Sequence, residues 1–167
     1  MNVRAILLVL VLLPAMLLGG CGFALRGKAQ LPPEMAHTRL VINDLYSRFA
    51  RTTRVLLEQS GVSFVTAGEA SATLEIPVNE VVTEILTIGD NARVREYRIT
   101  HTVQFRLVGA NGREIIPLQT ILQSRDISFD EQQILAVSRE QEFVRDDLAE
   151  VLARLLLSRL QVVGNQS

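Results

Sequence analysis

Along residues 96–107 apolar and polar side chains alternate without a break. Tyr97, Ile99, His101, Val103, Phe105 and Leu107 fall on one side, and Glu96, Arg98, Thr100, Thr102, Gln104 and Arg106 on the other. A period of two sends successive side chains to opposite faces of a strand, so the pattern predicts a half-buried antiparallel strand. Gly109, Ala110, Asn111 and Gly112 then predict a hairpin turn, and residues 115–129 a further extended segment in which Pro117 marks a bulge or an edge position. Upstream, Leu74, Ile76, Val78 and Val82 are expected to share one face of another extended run, which continues past Glu84 to Leu86 and Ile88 before the turn at Gly89, Asp90 and Asn91.

Two stretches carry the helical period instead. Residues 39–43 are rich in β-formers, and Asp44 then offers an N-cap for a helix with Leu45, Phe49 and Leu56 on one side and Gly61 at its C-terminal stop. Residues 62–65 give a weaker strand signal. Asp130 and Gln133, three apart, resemble an N-terminal cap ahead of a long helix. Its Val144, Leu148, Val151, Leu152 and Leu155 form an apolar stripe reaching to about Leu160. The order strand, helix, long strands, helix predicts an α+β fold: a two-layer sandwich with two helices packed on one face of a mixed, mainly antiparallel four-stranded sheet.

The N-terminus belongs to none of these elements. Arg4 is followed by an apolar run from residue 5 to 18, about 14 residues, the length of an export signal and short of the roughly 20 needed to cross a bilayer. The run ends in Leu18, Gly19, Gly20 and Cys21, which resembles the bacterial lipobox, where small residues precede a cysteine that is lipidated and becomes the first residue after cleavage. Cys21 is also the single cysteine of the chain, which excludes an internal disulfide. The expected product carries an N-acyl group and an S-diacylglycerol on Cys21, an effectively permanent anchor. Gly22 stands where an inner-membrane retention signal would place Asp, which implies delivery to the outer membrane. The expected organisation is a cleaved signal peptide at 1–20, a lipidated arm at 21–37, a folded domain at 38–162 and a tail at 163–167.

Composition narrows the function by exclusion. The net charge of −1 is spread along the 167 residues, so neither a nucleic-acid footprint nor a polybasic patch stands out. There is no nucleophile elbow, phosphate loop, dinucleotide fingerprint or cysteine–histidine cluster, so neither an enzyme, a metal nor a cofactor other than the covalent lipid is expected. His37 and His101 lack any motif, and His101, on the apolar face of its strand, is expected to be a packing histidine. Arg93, Arg95, Glu96 and Arg98 cluster after the Gly89 turn. They fit first a solvated strand end; the alternative is a guanidinium set able to grip phosphate, which lipopolysaccharide would present to a lipid-anchored envelope protein.

Three segments, residues 21–27, 95–100 and 125–136, match in order and spacing a family of envelope proteins. The chain resembles the lipopolysaccharide-assembly lipoproteins LptE (RlpB) over essentially its whole mature length. The resemblance implies a non-enzymatic domain that sits in the lumen of the outer-membrane β-barrel LptD, helps it fold, plugs it, and assists lipopolysaccharide transport to the outer leaflet. The alternative is an outer-membrane-anchored accessory or scaffold lipoprotein for another complex, in cell-wall binding or barrel assembly. Members of the family can carry basic lipopolysaccharide contacts at places that fall near Asp90 and Val137 here, so those contacts do not transfer directly. Arg93, Arg95 and Arg139 are the neighbouring candidates for phosphate contact.

Overall fold

In the computed structural model, which describes residues 31–88, 94–128 and 134–165, the alternating segment becomes a strand flanked on both sides by long antiparallel partners. The strands are β1 (His37–Ile42), β2 (Ser63–Phe64), β3 (Ala72–Ile88), β4 (Val94–Gly109) and β5 (Glu114–Ser128), in the order β2-β1-β3-β4-β5. β1 runs parallel to both β2 and β3, whereas β3, β4 and β5 are antiparallel neighbours. The α+β sandwich and mixed sheet are as expected, with five strands instead of four. The additional one comes from the weak 62–65 signal, of which Ser63 and Phe64 pair with His37 and Thr38.

Helix α1 (Arg48–Gln59) begins later than Asp44 suggests, because Ser47 is the N-cap: its Oγ accepts the Ala50 N–H at 3.2 Å. Asp44 instead organises the approach, its carboxylate taking the Tyr46 N–H at 2.8 Å and its carbonyl the Ser47 hydroxyl at 2.9 Å. Leu45 therefore precedes the helix and is exposed, and the buried side is Phe49, Ala50, Thr53 and Leu57, with Leu56 only half-buried. At the other end Gly61 takes a left-handed φ of +96°. Its N–H reaches the Glu58 carbonyl while that of Val62 reaches Leu57, both at 3.0 Å. This arrangement satisfies carbonyls that the helix itself leaves open.

Helix α2 (Ile134–Gly164) packs along α1 and over β4 and β5. Its fully buried stripe is Val144, Leu148, Leu152, Leu156 and Leu160, with Ala149 and Ala153 beside it, and the expected Val151 and Leu155 lie half-buried at its margin. These side chains close over Leu74, Ile76, Val103, Phe105, Leu107 and Ile116 of the sheet. Each such leucine or isoleucine contributes about 1.5–3 kcal/mol by leaving water. A smaller cluster of Ile99, Ile127, Val144 and Leu148 extends the core toward the end of the sheet where β3 turns into β4.

β3 departs from its predicted pattern first near Pro77, and its register with β4 shifts again between Ile85 and Ile88. Glu75 pairs with Arg106 but Val78 with Gln104, so β3 holds one extra residue there, a bulge containing Pro77. The extra residue reverses the alternation. Leu74 and Ile76 face the helices, and after the bulge Asn79 does so in place of Val78, leaving Val82 on the helix-free face at 42% exposure. β5 carries a similar irregularity between Ile116 and Gln119, at Pro117 on the sheet's edge, as its sequence suggests.

Candidate functional site

The long hairpin and the long helix converge at one end of the molecule. β5 runs toward this end and finishes at Ser128, opposite Glu96, and α2 starts there and runs back. Val144 packs on Ile99 and Ile127. The ten residues of helix before it rise about 15 Å, and the five strand residues from Ile99 to Val94 about 16 Å, so both reach the same level. Two contacts hold α2 to the sheet nearby: Arg125 with Asp147 at 2.9 Å and Arg145 with the Thr83 hydroxyl at 3.1 Å.

Arg95 on β4 and Arg139 on α2 belong to this end. Arg93 lies outside the described residues, as does Cys21. Arg98, the other basic member of the cluster, is committed: its guanidinium grips Asp126 across the strand pair with bonds of 2.7 and 2.8 Å. Each charge stabilises the other, raising the Arg98 pKa and lowering that of Asp126. Glu96 accepts the Thr87 hydroxyl at 2.6 Å. Arg139 is exposed and opens onto a groove lined by Arg48, Glu142, Phe143, Asp146, Asp147 and Glu150. Arg48 pairs with Glu150 there, which depresses the carboxyl's pKa and keeps it anionic. With four carboxylates lining it, this groove disfavours a phosphate.

The helix-free face of the sheet was less visible from sequence. The strand register places Thr100, Thr102, Gln104 and Arg106 of β4 beside Leu122, Ser124 and Asp126 of β5 and Glu80, Val82 and Glu84 of β3. Arg106 reaches Glu75 at 2.6 Å and Glu114 at 3.4 Å, crossing to both neighbouring strands. The result is a broad surface dominated by hydroxyl, amide and mutually paired charged groups. The polar half of the β4 alternation was the available signal for it.

His101 is a packing residue, buried at 3% exposure with its ring edge-on to Phe49 at 5.9 Å. Its Nε2 lies 2.8 Å from the Asn79 side-chain oxygen, and the Asn79 amide donates to Ser47 Oγ at 3.2 Å. Burial lowers its pKa, and Nδ1 has no partner. Its position gives it no access to a ligand. Among the described residues no group of His, Cys, Asp or Glu is placed to hold a metal ion, and no helix is long and apolar enough to cross a membrane.

Comparison with known proteins places these features in a family. Residues 36–160 match the lipopolysaccharide-assembly family LptE, a span that takes in nearly the whole described sandwich. The LPS-assembly lipoprotein LptE of Photorhabdus laumondii is 26% identical over 165 residues, covering 96% of this chain and 87% of the relative. That of Yersinia pestis is 30% identical over 163 residues, covering 95% and 76%. Among solved structures, lipoprotein B of Nitrosomonas europaea superposes with a TM-score of 0.66 at 26% identity, covering 81% of this chain and 88% of that one. The rare lipoprotein B of Shewanella oneidensis gives 0.65 at 25% identity, covering 78% and 98%.

Proposed function

This chain belongs to the LptE lipopolysaccharide-assembly family, and we propose that it acts as an outer-membrane lipoprotein that partners and plugs the LptD β-barrel and assists the passage of lipopolysaccharide to the outer leaflet. The family match across residues 36–160 carries this reading. The physical character of the domain supports it. A barrel lumen is hydrated, so an occupant needs polar faces, and the helix-free side of β3, β4 and β5 is such a face. Nothing in this role requires turnover, and the protein works as a binding and assembly subunit. Lipidation of Cys21 tethers the domain through the segment ahead of Met35, which is already buried in the core, so the anchor and the plug are separable parts.

Lipopolysaccharide is bound through its phosphates by Arg93 and Arg95 at the hairpin end, with Arg139 contributing less because of the carboxylates around it. The test is the triple variant Arg93→Glu, Arg95→Glu, Arg139→Glu, with lipopolysaccharide binding measured on protein whose circular dichroism is unchanged. Loss of charge-assisted hydrogen bonds predicts binding weaker by about tenfold or more, with Arg139→Glu alone having the smallest effect. Undiminished binding by the triple variant would remove these arginines from the account.

A further inference from the structure

β3 is paired along both edges only in its first part. β1 ends at Ile42, opposite Ile76, and Pro77 follows in the bulge. Asn79 still meets the α1 cap through Ser47. Beyond it, among the described residues, β3 pairs with β4 on one side and with nothing on the other. The open edge runs from Glu80 to Ile88, and its apolar side chains are exposed: Val81 40%, Ile85 55% and Ile88 62%. Edge strands are ordinarily protected by lysine, proline or a covering loop, because their free N–H and C=O groups recruit further strands. This segment contains neither lysine nor proline.

We propose that the outer edge of β3 between Glu80 and Leu86 is a docking site for an extended strand of another protein, one whose apolar side chains alternate with basic ones. The alternation follows from the register. Val81, Thr83 and Ile85 lie on the helix side of the sheet, where an added strand would place its apolar residues, and Glu80, Val82 and Glu84 lie on the helix-free side, where it would place its cations. A second copy of this chain fits poorly. β3 contains Glu75, Glu80 and Glu84 and no Lys or Arg, so antiparallel pairing of two β3 edges brings carboxylates together without a compensating charge. The site is defined by backbone pairing and does not depend on the barrel partnership.

The experiment uses the full-length protein in detergent and a synthetic peptide alternating valine with lysine, followed by amide hydrogen exchange resolved along β3. Two peptides serve as controls: one alternating valine with glutamate, and the valine–lysine peptide N-methylated at alternate amides, which keeps the charge but cannot extend a ladder. The valine–lysine peptide should slow exchange of the outward-pointing amides between Glu80 and Leu86 by about tenfold, and neither control should do so. In the variant Glu80→Lys, Glu84→Lys the preference should pass to the valine–glutamate peptide. The proposal is overturned if the edge gains no protection, or if the N-methylated peptide protects it equally. Protection that grows with protein concentration alone would identify the occupant as a second copy and overturn it too.

Discussion

At the scale of single residues, His101 shows how a titratable group is used for packing. Its Nε2–H is placed to donate to Asn79, Asn79 donates to Ser47, and Ser47 caps α1, so a buried polar chain ties the sheet to the start of the helix. Burial holds the folded pKa below the ordinary value near 6.5. The unfolded chain therefore binds a proton first as pH falls, and the neutral ring's contribution to stability, complete above about pH 6.5, is lost progressively below it. Urea midpoints measured from pH 7.5 to 5 should fall more steeply for the native chain than for His101→Phe, and equal slopes would contradict this reading. Ser47→Ala removes the cap and also the acceptor for Asn79, and should destabilise by about 1 kcal/mol or somewhat more in chemical denaturation.

The residue scale is also where sequence reading succeeded and failed for identifiable reasons. The packing role of His101 and the stop at Gly61 were legible because each depends on local pattern: an apolar alternation in one case, a left-handed backbone position in the other. The N-cap was misplaced by three residues. Asp44 and Ser47 are both good capping types, and only the close approach of Asn79 from a distant strand shows which of them meets the first helical amides. The commitment of Arg98 to Asp126 was equally hidden, since it depends on the pairing register of two strands.

At the scale of elements, periodicity carried most of the fold. The strict alternation of β4 fixes its buried face, and the stripe on α2 fixes what lies over it. Leu156→Ala in the middle of that stripe should cost about 2–5 kcal/mol, whereas Leu122→Ala on the helix-free face, where the side chain is 56% exposed, should change stability little. Comparable losses in thermal unfolding would mean that the two faces are wrongly assigned. The bulge in β3 was not legible, because one inserted residue is defined against the partner strand, and a single chain read alone has no partner. Its consequence is that Val82 lies on the helix-free face, whereas the period of two had placed it with Leu74 and Ile76.

At the scale of the whole molecule, the family's motifs were readable because they lie in order along the chain, while the polar sheet face and the converging end exist only after folding. The proposed division between anchor and domain makes its own prediction. If barrel binding belongs to the sandwich, an exported Cys21→Ala variant should lose membrane attachment yet still bind the barrel; a stable, exported variant with no barrel binding would place part of the interface in the lipid or the arm.

The most direct measurement of the central claim is the composition of the complex in the membrane. Outer membranes from cells producing the tagged, full-length protein are solubilised in mild detergent, and whatever is retained with it is quantified by mass spectrometry. The account predicts one large β-barrel of the LptD type in near equimolar amount. Recovery of the intact lipoprotein without any barrel, or with a different envelope assembly in its place, would contradict the plug and leave the anchored sandwich in need of another partner.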